Sequence, residues 1–249
     1  MSPLEFEPPI SDDAPLINVA LVGPPKTGKT AGAASAPGPI LYLNAELANR
    51  MRFARRTYGD KLSVVQVKGK QTLTDVVFGV YAEDCEFATV VVDSIGELRS
   101  LLLKEAASGN GGKMKNKPTL DQYGEVQAII EWFCSKLCKA PVNVVFVFHS
   151  EPQKDDETGE VIHEAATGAS KPKLGRTILG WVDIVGFTGA VPQEGGGFEY
   201  VAQLVPAKGR QGGDGFNCLA DPVTGTRKLD LTEWVEAITA HEGATTNQE

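Results

Sequence analysis

The residues best suited to chemistry stand together at Gly23-Pro24-Pro25-Lys26-Thr27-Gly28-Lys29-Thr30. Four residues separate two glycines, and a lysine and a hydroxyl follow the second. That is the spacing of a phosphate-binding loop. Glycine lets successive backbone N–H groups curl around an anion, and a helix starting there adds its dipole. Lys29 is then set to reach the β- and γ-phosphates of a nucleoside triphosphate, and the Thr30 hydroxyl to ligate Mg²⁺. The motif therefore predicts that residues 23–30 bind ATP with Mg²⁺.

Three further polar residues fall at the ends of apolar runs. Asp93 closes Thr89-Val90-Val91-Val92, where a carboxylate can hold the water shell of a metal. It can also cap the helix expected from Ile95, and the two roles are compatible. Glu46 follows the run Ile40–Leu43, and Glu97 lies four residues beyond Asp93 on the next expected helix, pointing away. The carboxyl ends of parallel strands face the ligand crevice, so Glu46 is the better candidate for the base that orients an attacking water. His149 ends the run Val142–Phe148. It is a candidate polar sensor of the γ-phosphate, although a lone histidine also serves as a structural hydrogen-bonder.

These residues need a scaffold of alternating strands and helices. Strands are expected at 17–22, 40–43, 62–67, 89–92 and 142–148. Helices are expected at 31–36, 46–58, 72–82, 95–107 and 121–137. Such alternation defines a parallel sheet with right-handed crossovers. After Trp181 the pattern changes to runs at 182–188, 198–206 and 216–219 between glycine-rich turns, which read as an antiparallel edge of the same sheet. A closing helix is expected at 231–239. No internal repeat or linker divides the chain. The expected organisation is an extended acidic arm (1–16), one α/β domain (17–240) and a flexible tail (241–249).

Composition bounds the partners. Hydrophobic residues make up 42% of the 249 residues, enough for an ordinary core. No apolar run approaches the ~20 residues of a membrane helix, and no signal pattern opens the chain, so a cytoplasmic protein without a membrane partner is expected. The net charge of −8 argues against nucleic acid until its distribution is examined. Glu5, Glu7, Asp12 and Asp13 in the arm, with Glu233, Glu236, Glu242 and Glu249 at the other end, account for all of it. A neutral body between acidic ends neither demands nor forbids DNA. Cys134 and Cys138 stand four apart on an expected helix, but no second Cys/His pair accompanies them, so they read as buried thiols.

Four ordered pieces resemble the RecA/RadA recombinase ATPase core, and in particular the minimal phage-encoded RecA-like proteins of single-strand annealing and recombination. The pieces are Gly23–Thr30, Leu41-Tyr-Leu-Asn-Ala-Glu46, Val90-Val-Val-Asp-Ser94 and Val144-Val-Phe-Val-Phe-His-Ser150; Leu204-Val-Pro-Ala-Lys-Gly-Arg210 is a weaker fifth. The resemblance implies a RecA-like P-loop NTPase fold with a central, mainly parallel sheet. It assigns the catalytic glutamate to Glu46 and the sensor, usually glutamine, to His149. It implies a homo-oligomer with ATP at subunit interfaces, where Lys208 and Arg210 of a neighbour reach the γ-phosphate; the other reading of that pair is an exposed basic turn. Phe6 in the arm departs from the family's oligomerisation pattern, and a solvated tail suits the arm better.

The resemblance further implies two flexible DNA-binding loops, here 108–120 and 151–176. The first carries Lys113, Lys115 and Lys117 and no acid, which suits contact with the phosphates of single-stranded DNA. The second mixes bases with six acids, and neither holds an aromatic residue for base stacking. The expected function is a DNA-dependent ATPase of recombination or annealing, in the host cytoplasm if phage-encoded. The alternatives are a helicase motor or loader, and a nucleotide-gated assembly module with a protein partner and little hydrolysis. If the first loop meets phosphates, replacing Lys113, Lys115 and Lys117 together with alanine should flatten the salt dependence of single-strand binding. A slope equal to that of the unaltered protein would remove these lysines from the interface.

Overall fold

Runs of β-branched and aliphatic residues with both faces apolar build the centre of the sheet. In this computed structural model, residues 15–47, 51–108, 117–154, 159–168, 173–207 and 209–246 are described. The first half of the chain alternates β1 (Asn18–Gly23), α1 (Lys29–Ala34), β2 (Ile40–Asn44), α2 (Arg52–Tyr58), β3 (Leu62–Gln66), α3 (Lys70–Val80), β4 (Thr89–Asp93), α4 (Ile95–Ser108) and α5 (Leu120–Leu137). The second half runs β5 (Asn143–Lys154), β6 (Val161–Ala166), α6 (Lys173–Leu179), β7 (Ile184–Pro192), β8 (Phe198–Gln203), β9 (Gly213–Asp214), β10 (Thr226–Lys228) and α7 (Leu231–Thr246).

Among the described residues one sheet runs in the order β10-β8-β7-β1-β5-β4-β2-β3, with β6 added to β5 and β9 to β7. The six strands from β7 to β3 are parallel, and β8, β9, β10 and β6 pair antiparallel. This is the α/β class expected, with a mainly parallel sheet, flanking helices and an antiparallel edge. The strand carrying Asp93 is separated from β1 by β5. All four strands that bear candidate site residues therefore end at the same edge.

Successive side chains of a strand point to opposite faces, and here they feed two cores. Ala20, Val22, Val90 and Phe146 pack against α3, α4, α5 and α6. Val19, Leu21, Tyr42 and Val91 pack against α1, α2 and α7. Trp234 of α7 is fully buried on the second face, and its indole N–H donates to the Lys228 carbonyl at 2.8 Å. The N-terminus of α5 is fixed by reciprocal bonds between Thr119 and Gln122, a capping box. Cys134 is buried in the first core. No helix among the described residues is long and apolar enough to cross a membrane.

The structure corrects several local expectations. Glu46 does not begin a helix. The Asn44 side-chain oxygen accepts the Glu46 N–H at 3.1 Å, and the Ala45 N–H is taken by the Asp93 carbonyl at 2.8 Å; these bonds hold the backbone out of helical geometry, and α2 starts at Arg52. The segment 182–188 belongs to β7, which joins the antiparallel edge through β8 and β9 as expected but also pairs parallel with β1 on its other side. Residues 216–219 are not a strand, because the Asp214 carboxylate accepts the N–H groups of Phe216, Cys218 and Leu219 and winds the chain into turns. Much of the expected loop 151–176 is ordered: β5 runs on to Lys154, β6 pairs back on it from His149↔Ala166 to Lys154↔Val161, and α6 follows. The turns and the hairpin rest on tertiary partners that local pattern does not reveal.

Trp234 is the largest fully buried side chain of the second core. Trp234→Ala should lower the unfolding free energy by roughly 3–5 kcal/mol in urea titration. Val223→Ala, at a position 91% exposed, should leave the midpoint where it is.

Candidate nucleotide-binding site

The loop after β1 is shaped by close neighbours. A Cβ on Gly23 would overlap the Thr188 hydroxyl and stand 2.9 Å from the Thr188 carbonyl oxygen, so β7 admits only glycine there. Gly28 has φ 81°, in the left-handed region, and as the residue before α1 it supplies no side-chain cap. The first-turn N–H groups thus face outward without a competing side chain, as an anion site needs. Thr27 closes the loop by donating to the Pro24 carbonyl at 2.8 Å, and its hydroxyl lies 2.6 Å from that of Thr188. Sequence reasoning missed Thr188; only the pairing of β7 with β1 brings it to the loop.

Lys29 lies across this loop, donating to the carbonyls of Gly23 at 2.8 Å and Pro24 at 2.6 Å. Burial lowers its pKa to about 8, against the opposing pull of Asp93 and Glu46. Thr30 donates to Asp93 Oδ2 at 2.8 Å, and Tyr42, fully buried on β2, donates to the same oxygen at 2.6 Å. Burial pushes the Asp93 carboxyl above its ordinary range, with the two hydroxyl donors pulling the other way. The Tyr42 phenol is pushed well up by burial and by the neighbouring carboxylate. Thr30 and Asp93 offer hard oxygen donors of the kind Mg²⁺ takes, and a cation there would offset the cost of a buried carboxylate. Tyr42 is a second residue the sequence reading did not single out. The alternation of β2 was its only signal, and it did not mark Tyr42 as a neighbour of Asp93.

Glu46 comes from the bend after β2. Its side chain is 8% exposed, and Oε1 lies 3.1 Å from His149 Nε2. A carboxylate can only accept, so the ring donates from Nε2; Nδ1 is buried with no hydrogen-bond partner. Ser94 donates more weakly to the same carboxylate oxygen at 3.5 Å, and the Gln66 amide holds the Glu46 carbonyl at 3.1 Å. His149 sits opposite Gly23 in the parallel register of β5 and β1, which brings it beside the loop.

Pro25, Lys26, Gly28, Lys29, Thr30, Glu46, Asp93 and His149 line one cleft of ≈ 870 Å³, within the roughly 300–1,000 Å³ usual for ligand sites. Glu97, expected to point away, lines it too, because the first turn of α4 rises directly from Asp93. Phe53 of α2 and Tyr200 of β8 complete the wall. Arg210 is not among these residues. It closes a tight turn with Ala207, and its guanidinium lies 5.1 Å from the centre of the Phe187 ring. Lys117 is exposed before α5, while Lys113, Lys115 and Lys208 lie outside the described residues.

A phosphate loop at the carboxyl edge of a parallel sheet, with acidic residues converging on it, defines a P-loop nucleotide-binding ATPase domain. A family model described as an AAA domain, AAA_24, matches residues 17–215. The chain belongs to this family of P-loop ATPase domains. No curated protein matches it in sequence. Among solved structures it is similar to a KaiC-like protein of the hyperthermophilic archaeon Pyrococcus horikoshii OT3, at 14% identity and TM-score 0.41, covering 75% of this chain and 76% of that one. It is also similar to the flagellar accessory protein FlaH of Methanocaldococcus jannaschii, at 11% identity and TM-score 0.41, covering 77% and 79%.

The depressed Lys29 pKa gives nucleotide binding a pH dependence with a definite sign. Lys29 carries its charge below pH 8 and loses it above, so phosphate affinity should hold at neutral pH and weaken as pH rises through about 8, by up to about tenfold per unit for one proton. Nucleotide titrations across that range should show the bend. Lys29→Arg, whose charge does not titrate there, should bind without it; a bend surviving in that variant would assign it to another group.

Proposed function

We propose that the chain is a Mg²⁺-dependent ATPase of RecA-like type. It works as an oligomer with ATP between subunits and acts on single-stranded DNA in phage recombination or annealing. One observation carries the hydrolytic part of this reading: Glu46 from the bend after β2 and His149 from β5 are in contact, and both line the cleft that holds Lys29, Thr30 and Asp93. The residue types and their spacing suit water attack on a terminal phosphate.

In this reading the loop N–H groups and Lys29 hold the phosphates, and Thr30 and Asp93 would hold a Mg²⁺ ion, which would supply charge neutralisation. Glu46 orients a water and accepts its proton as the water oxygen bonds to the γ-phosphorus. The bond from that phosphorus to the ADP oxygen breaks, leaving ADP and phosphate. His149 keeps the Glu46 carboxylate in place and answers to the γ-phosphate beside it. Arg210 lies away from its own cleft, stacked on Phe187, which agrees with a role, alongside Lys208, toward a neighbouring subunit. The acid-free run Lys113, Lys115 and Lys117 supports contact with DNA phosphates, and the likeness to phage annealing proteins supports the biological setting.

One finding favours a second reading, a nucleotide-gated assembly module with a protein partner. The segment expected to be a flexible second DNA loop is largely a β-hairpin, on which Glu151 and Glu160 are exposed beside Lys154 while Glu164 is buried against Arg176. An ordered hairpin without a basic excess suits a protein partner better than the phosphates of a nucleic acid.

Glu46→Gln should bind ATP as the unaltered protein does and lose turnover by about 10²–10⁴-fold; an unchanged rate would remove Glu46 as the base. Turnover of the unaltered chain should rise with single-stranded DNA, and light scattering should show assembly in ATP. Assembly without stimulation by DNA would favour the module instead.

A further inference from the structure

The phosphate loop has an aromatic neighbour on the side away from Asp93. β8 lies two strands from β1 in the direction opposite to β4, and its Tyr200 reaches over the loop. A Cβ added to Gly28 would stand 2.8 Å from both Cδ atoms of Tyr200 and closer still to Cγ, so the ring lies directly against the Gly28 backbone. Tyr200 remains 41% exposed and lines the nucleotide cleft. The strand beneath the ring is fixed: Tyr200 pairs with Ala190 of β7, and its carbonyl accepts the Leu229 N–H at 2.9 Å. Leu229 in turn fills the space over Gly32 of α1.

Geometry sets which end of a nucleotide meets this ring. Glu46 and His149 mark the place of the γ-phosphate on the β5–β2 side of the loop. The α-phosphate and the nucleoside then leave on the opposite side, toward β7 and β8. Phe53, the other Phe/Tyr/Trp among the described cleft residues, comes from α2, which packs chiefly against α1 rather than against β7 or β8. Among the described cleft residues, Tyr200 is the aromatic residue that lies against the loop backbone and leaves a partly open π-face on the β7–β8 side.

We propose that Tyr200 is the nucleobase platform of this site: a purine stacks on its open face while the loop holds the phosphates. The inference rests on the nucleotide-binding reading of residues 23–30. Stacking engages the face that every base shares. Tyr200 therefore contributes affinity for adenine and guanine nucleotides alike and little choice between them.

The test compares ATP, GTP and inorganic tripolyphosphate, each with Mg²⁺, binding to the full chain and to Tyr200→Phe, Tyr200→Leu and Tyr200→Ala. Tyr200→Ala and Tyr200→Leu should each weaken ATP and GTP by about tenfold, in line with the loss of one base–aromatic stack. Tripolyphosphate binding should stay unchanged, and Tyr200→Phe should bind all three as the unaltered chain does. Equal losses for tripolyphosphate and ATP would make Tyr200 a prop of the loop and overturn the proposal. Tighter binding of all three by Tyr200→Ala would make the ring an obstruction and overturn it too, as would unchanged ATP binding. If the unaltered chain binds neither ATP nor tripolyphosphate, the nucleotide reading itself fails and the platform with it; tripolyphosphate binding intact beside a failed stack would spare that reading.

Discussion

The site depends on one buried oxygen, Asp93 Oδ2, and the two hydroxyls that donate to it. Thr30 reaches it from the first turn of α1, and Tyr42 from the neighbouring strand β2. Because β5 separates β4 from β1, no backbone ladder joins the strand of Asp93 to the strand of the phosphate loop. The Thr30–Asp93 bond spans that gap through side chains and ties the helix that follows the loop to the sheet. An ionised carboxylate so buried is tolerable only while fully partnered. The burial that makes Asp93 costly also makes it an attractive place for a cation.

The parallel register carries the remaining positioning. Gly23 lies opposite His149, Val147 opposite Asp93, and Asp93 opposite Asn44. Gly23 and His149 thus stand two residues beyond the level of Asp93 and Asn44 while β5 runs on to Lys154, and residues far apart in sequence meet at one rim. The Asn44 side chain and the Asp93 carbonyl then hold the backbone at Ala45 and Glu46 out of a helix, which turns Glu46 toward His149 instead of along α2. The late strands act on the loop from the other flank, where Thr188 excludes a side chain at Gly23 and Tyr200 lies on Gly28. Both glycines thus have a packing reason as well as a conformational one.

Legibility followed the range of the forces involved. The fully apolar runs 19–22, 40–43 and 89–92 announce central parallel strands because both of their faces must be buried, and a four-residue gap between glycines is a local demand of phosphate binding. The hairpin of β5 and β6 was not legible. Its outer residues are polar and mixed in charge, and its order comes from pairing and from anchors such as Arg176 on Glu164 and Arg99 on the Gly168 carbonyl. Residues 216–219 misled for the opposite reason: an apolar run suggests a strand, but Asp214 takes three of the local N–H groups into turns.

The sequence by itself determined the α/β class, the phosphate loop, Asp93 at the end of a strand and Glu46 just past one, since each follows from local spacing and hydrophobic period; His149, expected at a strand end, lies within β5, which runs on to Lys154. Only the tertiary structure decided that Tyr42 donates to Asp93, that Thr188 and Tyr200 close on the loop glycines, and that Glu97 faces the cleft while Arg210 does not. Those contacts join residues up to 172 positions apart, as between Gly28 and Tyr200. They depend on strand order and side-chain direction, which a local pattern does not encode.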